Sequence, residues 1–361
     1  MRLTRILTGL SIVALTFGVF NISVEASEAG VSGNSVSGNT VSVVSNQIWD
    51  YAEPGQDRTG KPVILDMDFC SDVDDAVALR VAANMHNLGI IDLKAVSLCT
   101  SDANDTNLRA ANGMLNYSGL GLIPIGRNHQ DIPDTSPYWS NMAKHATLDM
   151  RSMDAVKLWR TVIANSPRKV DIITTGYLTN LQSFMQSPAD EISPKTGMEL
   201  FNENVGNVYI TGGVYKSGLD NNFWFTYQAK NSLNWILNNT QKSLIFITTD
   251  VGVPLNAGHA LQKQDKEQKD PLTRALWDWG TNSGRVAWDP AAVYVGSMVN
   301  NEQDLETYEF GISKIDMEFD VETGRNNIID NPNGKHYRIY RTSDNLEYYN
   351  EILESLTIVS R

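Results

Sequence analysis

Five aspartates, Asp66, Asp68, Asp72, Asp74 and Asp75, fall within ten residues of the stretch VILDMDFCSDVDDAVAL, Val63 to Leu79. Carboxylates this close repel one another, and unpaired charge is costly to bury. Helix capping accounts for Asp74 and Asp75, which stand where a helix starts and where carboxylates favour free backbone N–H groups and the helix dipole. It does not account for Asp66 and Asp68, which close an apolar run. A calcium loop of the EF-hand kind needs alternating acidic residues and a central glycine. Counted from Asp66, those places hold Cys70 and Ser71, so that pattern fails. A hard cation among the carboxylates remains the arrangement in which the five charges make sense together.

The elements around the cluster say where such a cation would sit. From Lys61 onward, short apolar runs alternate with segments of helical period. PVILDMD reads as a strand, and DDAVALRVAANMHNLG as a helix stopped at Gly89. LKAVSLCT, GLIPIG, KVDIITTG, VGNVYITGG and SLIFITTD read as further strands, with helices in NDTNLRAANGMLNYSG and LTNLQSFMQS. Buried strands alternating with helices predict an α/β fold, a mostly parallel, doubly wound open sheet with helices on both faces. Ligands of such sheets bind beyond the carboxyl ends of the strands. The clusters DMDFCSDVDD, CTSDAND, TTGYLTN and TGGVYKSGLDNN each follow a strand, so they are expected along one edge.

Two families share the opening motif. The haloacid dehalogenase-type phosphotransferases end a strand in Asp-x-Asp-x-Thr/Val. Asp66 and Asp68 match, but Cys70 stands at the third place and no later lysine and acidic pair follows. The inosine-uridine-preferring nucleoside hydrolases match more of the chain. Their strand ends in Asp-x-Asp and is followed by a short loop and Asp-Asp-Ala. LDMDFCSDVDDAVAL resembles this with Asp66, Asp68 and Asp74-Asp75-Ala76, with a loop two residues longer and Cys70 in place of a usual glycine. DIITTGYLTNL resembles the family's Thr-Gly-x-Leu-Thr-Asn strand end. VYITGGVYKSGLDNNF resembles its Gly-Gly strand followed by a Glu-x-Asn-Phe element, with Asp220 in the place of Glu. RVAWDPAAVYV resembles its last acidic element, and the four matches run in order from Lys61 to about Asn300.

This resemblance implies calcium-dependent hydrolysis of the N-glycosidic bond of a ribonucleoside or related N-riboside through an oxocarbenium-like transition state. It implies a calcium shell of Asp68, Asp75, the Thr175 carbonyl and Asp289, with Asp68 as the general base that takes a proton from water. Asp74, Asn104 or its neighbour Asp105, Asp220 and Asn222 are the candidates for the sugar, and Asp66 supports from behind. Many members carry a histidine directly before the last metal aspartate. Trp288 stands there, and an indole stacks on a base but cannot protonate it. His129 is a candidate for the vicinity of the site; Trp224 and Tyr227 are candidates for a base pocket or for the core. Asp72 has no assigned role. A metal- and sugar-binding protein without turnover is the alternative that Trp288 raises.

The bulk properties agree with a small ligand. The chain has 361 residues and a net charge of -13, which argues against a phosphate backbone as partner. The segment 1–26, with Arg2, Arg5, an apolar Leu7–Phe20 and Val24-Glu25-Ala26, reads as a signal peptide, so the chain is expected to be secreted. Residues 27–60, with a repeated Val-Ser-Gly-Asn unit, read as a flexible linker, and 61–361 as the folded domain. No stable membrane insertion is expected, and a homo-oligomer is open. The two cysteines, Cys70 and Cys99, both near strand ends, are compatible with one disulfide.

Overall fold

The computed structural model describes residues 60–128, 130–299 and 308–358. The segments read as signal peptide and linker, and His129, lie outside the described residues. The strands in chain order are β1 (Lys61–Met67), β2 (Ile91–Leu98), β3 (Ile125–Arg127), β4 (Ser152–Asp154), β5 (Val170–Thr174), β6 (Val205–Thr211), β7 (Lys216–Leu219) and β8 (Ile245–Ile247). They continue with β9 (Asn256–Ala257), β10 (Arg285–Val286), β11 (Phe310–Asp320), β12 (Arg325–Asp330) and β13 (His336–Arg341). Eleven of them form one sheet in the order β4-β3-β2-β1-β5-β6-β8-β13-β11-β12-β7, and β9 pairs with β10.

Every pairing from β4 across to β13 is parallel; β13–β11, β11–β12 and β12–β7 are antiparallel. The expected mostly parallel, doubly wound sheet is therefore present, with an antiparallel extension at one end. The chain winds outward from β1 to β4, returns to β5 beside β1, and winds the other way. The β1/β5 junction is thus the topological switch point, where ligands of open α/β sheets bind.

The alternation of β1 builds the two layers. Val63, Leu65 and Met67 join an apolar cluster that includes Ala76, Val77 and Leu79, while Ile64 joins a cluster with Trp159, Leu181 and Phe184 on the opposite face. Asp66 has the parity of Ile64 and is drawn to the second face. The helix Asp74–Asn87 carries acidic residues in its first turn, but neither Asp74 nor Asp75 caps it. Asp72 accepts from the N–H of Val73 (2.7 Å) and Asp74 (3.4 Å) instead. The helix stops as its sequence predicts: Gly89 takes φ 74° and donates to the His86 carbonyl.

Among the described residues no helix is long and apolar enough to cross a membrane. Cys70 and Cys99 are both free thiols, so the disulfide that their positions allowed is not formed.

Candidate active site

The end of β1 is tied to both neighbours by its backbone. Thr175 N–H donates to the Asp66 carbonyl at 2.7 Å and Cys99 N–H to that of Met67 at 2.9 Å. Gly176 follows Thr175 because nothing larger fits: a Cβ there would lie 2.4 Å from the Asp68 nitrogen. Phe69, the residue after Asp68, takes φ 43°, an uncommon conformation for a non-glycine. Asp75 holds this turn, its two carboxylate oxygens accepting from Phe69 N–H (3.0 Å) and Cys70 N–H (3.2 Å). Further along the loop, the Trp279 indole donates to the Ser71 carbonyl at 2.8 Å, and Tyr138 Oη donates to the Asp72 carbonyl at 2.8 Å.

The five aspartates separate into three environments. Asp66 is buried beneath the site, where Ser97 Oγ (2.5 Å) and Asn180 Nδ2 (2.8 Å) donate to Oδ1. Burial pushes its carboxyl up to about 7 despite these donors. Asp72 is claimed by Arg285, whose Nε donates to Oδ1 at 2.8 Å and whose second nitrogen reaches Oδ2. Burial alone would raise Asp72, but the Arg285 hydrogen bonds and charge and the local N–H groups outweigh it and hold the carboxyl below its usual value. The Arg285 guanidinium lies 4.6 Å from the Trp279 ring centroid and 5.0 Å from that of Trp288. Asp72, without a role on sequence, is thus the anchor that binds the loop to the segment before the last acidic element.

The remaining aspartates face a cavity of about 420 Å³ together with Asp289. Ligand atoms of Asp74, Asp75 and Asp289 lie within 4.8 Å of one another, and so do those of Asp68, Cys70 and Asp75. Asp75 belongs to both groups. Burial first, then the neighbouring carboxylates, pushes Asp74, Asp75 and Asp289 well above the ordinary range; burial lifts Asp68 to about 6. Among the described residues, none of the four is ion-paired with a basic side chain. Buried carboxylates grouped in this way have the donor chemistry that could hold a hard divalent cation. Asp74, expected at the sugar, lines the cavity and also sits in the carboxylate group, where its Oδ2 accepts from the Asp289 N–H at 3.4 Å.

Thr175 lines the cavity, and its carbonyl accepts from Asn222 Nδ2 at 3.2 Å. The same amide reaches the Thr211 carbonyl at 3.1 Å, so Asn222 fastens the ends of β5 and β6. Asp220 lines the cavity as well; its Oδ1 accepts from Asn222 N–H at 3.0 Å, and burial pushes it up to about 6. Trp288 is in the wall, with its indole N–H buried and without a hydrogen-bond partner.

Asn104 is not brought to this cavity: it is exposed, and its N–H closes a turn onto Asp102 (2.7 Å), the common fate of Asn in such loops. Asp105 pairs with Arg127 away from the site. Trp224 and Tyr227 are neither core nor lining but 37% and 74% exposed. The aromatic of this stretch that lines the wall is Phe225, between them, which sequence reasoning passed over.

Thr211 and Thr248 were also missed, although both close or follow a strand and the strand-end rule would have found them. Their hydroxyls, with that of Thr175, are buried at the cavity and have no hydrogen-bond partner. Asp134 and Tyr177 come from loops that carry no periodic signal.

This fold and this site can be set beside known proteins. No family model matches the chain, and no curated protein matches its sequence. Solved structures do. The inosine-uridine preferring nucleoside hydrolase from Bacillus anthracis superposes with a TM-score of 0.59 at 13% identity, over 82% of this chain and 100% of that one. The purine-preferring ribonucleoside hydrolase from Gardnerella vaginalis gives 0.61 at 16% identity, over 82% and 98%. The type III effector protein XopQ, solved with adenosine diphosphate ribose, gives 0.57 at 16%, over 83% and 93%. The fold is that of the nucleoside hydrolases. Within that nucleoside hydrolase fold, the carboxylate cluster of this chain occupies the sheet's switch point. Asp66, which a haloacid dehalogenase-type reaction would need as an accessible nucleophile, is 1% exposed and outside the cavity wall.

Proposed function

We propose that this chain hydrolyses the N-glycosidic bond of a ribonucleoside or related N-riboside with the help of calcium. The observation that carries the reading is the group Asp74, Asp75 and Asp289, within 4.8 Å of one another in the cavity wall and beside Asp68. Those carboxylates, with Asp68 and the Thr175 carbonyl, would hold the cation. Calcium supplies a counter-charge for buried carboxylates, acidifies water and offers sites to vicinal hydroxyls.

The chain's own residues have separable tasks. Asp68 accepts the proton of the attacking water; a carboxylate lifted towards neutrality is suited to that work. The hydroxyls of Thr175, Thr211 and Thr248 and the carboxylate of Asp220 offer hydrogen bonds to the sugar. Trp288 stacks on the leaving ring. The segment 1–26 would direct export, which makes a calcium-rich extracellular setting natural.

The test is release of reducing sugar from inosine, uridine and adenosine by the purified chain with and without calcium, read alongside thermal stability. Calcium at a hundred times its dissociation constant should add about 2.7 kcal/mol of stability. The increment should vanish in Asp289→Ala. Failure of every riboside to release sugar would refute the hydrolytic reading. Trp288, where the resemblance places a histidine, favours one second reading, a riboside-binding protein without turnover. That reading requires stabilisation by calcium and nucleoside with no sugar released.

A further inference from the structure

We propose that the riboside turned over in this cavity carries a cationic ring as its leaving group, an N-ribosylpyridinium in kind. This rests on the hydrolytic reading above and narrows its substrate class.

The first argument is charge. Seven aspartates, Asp68, Asp72, Asp74, Asp75, Asp134, Asp220 and Asp289, line the cavity, and among its described lining residues there is no lysine, arginine or histidine. Arg285 lies outside the lining and forms a two-pronged pair with Asp72; its charge reaches Asp74 but is not felt at Asp134 or Asp220. One divalent cation at the carboxylate group leaves Asp134 and Asp220 without a basic partner. A wall of this sign favours a positively charged ligand.

The second argument is the rim. Phe225, Leu219 and Val253 line the cavity while remaining 61%, 44% and 43% exposed, so they form its outer edge, and Trp288 adds an indole to the wall. A flat cation is attracted to the negative face of such a ring. An independent sign that the cavity suits a ligand with hydroxyls is the set of three buried threonine hydroxyls without partners. The two ends therefore match a polyhydroxylated ring joined to a flat cationic one.

The third argument is the leaving group. A neutral purine or pyrimidine departs as an anion unless it is protonated; no histidine, lysine or arginine stands in the described wall to do so, and the Asp220 carboxyl, which burial raises to about 6, is turned to accept from the Asn222 N–H. The Trp288 N–H donates a hydrogen bond but does not transfer its proton. A pyridinium riboside needs no acid. The C1′–N bond breaks, its electron pair goes to the ring nitrogen, and the ring leaves neutral. Water supplies the oxygen that bonds C1′, and its proton passes to Asp68 and then to solvent. Riboside cation plus water gives ribose, neutral pyridine and one proton.

The experiment uses the full chain with calcium and three probes: nicotinamide riboside, inosine and 4-nitrophenyl riboside, whose leaving group also needs no proton. Each rate is divided by the uncatalysed rate of the same compound. The expected enhancement is similar for nicotinamide riboside and the nitrophenyl riboside and lower by about 10²–10⁴ for inosine, the worth of a missing general acid. The KM for nicotinamide riboside should rise with ionic strength more steeply than that for the nitrophenyl compound. Asp134→Asn should raise it more for the cation as well. An equal enhancement for inosine, or cleavage of the nitrophenyl riboside without the pyridinium one, would overturn the inference and leave hydrolysis standing. If no probe is cleaved, the hydrolytic reading falls and calorimetry decides the cation preference. Binding of nicotinamide riboside about tenfold tighter than inosine supports it, and equal or weaker binding overturns it.

Discussion

Replacing Asp68 by asparagine is expected to lower riboside hydrolysis by about 10²–10⁴ while calcium still raises the melting temperature. The substitution keeps the shape of a side chain that is 6% exposed and faces the cavity. It removes the ability to accept a proton from water. The new amide would retain one oxygen toward the cation, and Asp74, Asp75 and Asp289 would remain grouped, so binding and chemistry separate in this variant. The measurement is kcat from initial rates of sugar release, with thermal denaturation across a calcium series as control. A kcat within about tenfold of the parent would assign the base to another residue, because truncation of a group acting only in the transition state lowers kcat itself.

Arg80→Met is expected to cost about 3–5 kcal/mol of stability, the toll of leaving one partner of a buried ion pair uncompensated. The Arg80 side chain is fully buried and grips Asp270 with two nitrogens, at 3.0 and 2.9 Å, while reaching the Thr357 carbonyl at 3.3 Å. It projects from the helix that begins with Asp74 and Asp75, so its loss loosens the support of the carboxylate group. Equilibrium unfolding in urea measures the cost. The double variant Arg80→Met, Asp270→Leu should recover most of it, since apolar residues of similar volume replace a buried pair at little penalty. A loss below about 1 kcal/mol in the single variant would mean that water reaches Asp270.

Much of this arrangement is legible in the sequence. The buried apolar run of β1, the helix stop at Gly89 and the strand-end position of Thr175 all follow from local rules. Asp72 was not legible, because its partner Arg285 is 213 residues away and arrives through tertiary packing. Asn104 was misplaced because a polar residue after a strand is equally suited to a turn. Trp224 and Phe225 are adjacent aromatics, and only the geometry of a short helix decides which one borders the cavity. The strands β11 to β13 lacked a match to the expected pattern, and β13 enters the sheet beside β8, a pairing of large sequence separation that no local rule reveals.

That late entry has a consequence in time. The helix bearing Asp74 and Asp75 is covered by the helix Leu346–Thr357: Asn84 Nδ2 donates to the Leu356 carbonyl at 2.8 Å, and Arg80 reaches Thr357. Glu354 of that late helix also accepts from the N–H groups of Gly258, His259 and Ala260, at 2.9–3.0 Å. During synthesis the acidic end of the first helix is made early, yet its packing is completed only by the helices Trp288–Met298 and Leu346–Thr357, which lie far later in the chain. The nascent chain therefore carries its acidic cluster in an incompletely packed form for most of its elongation, and the site closes as one of the last events of folding.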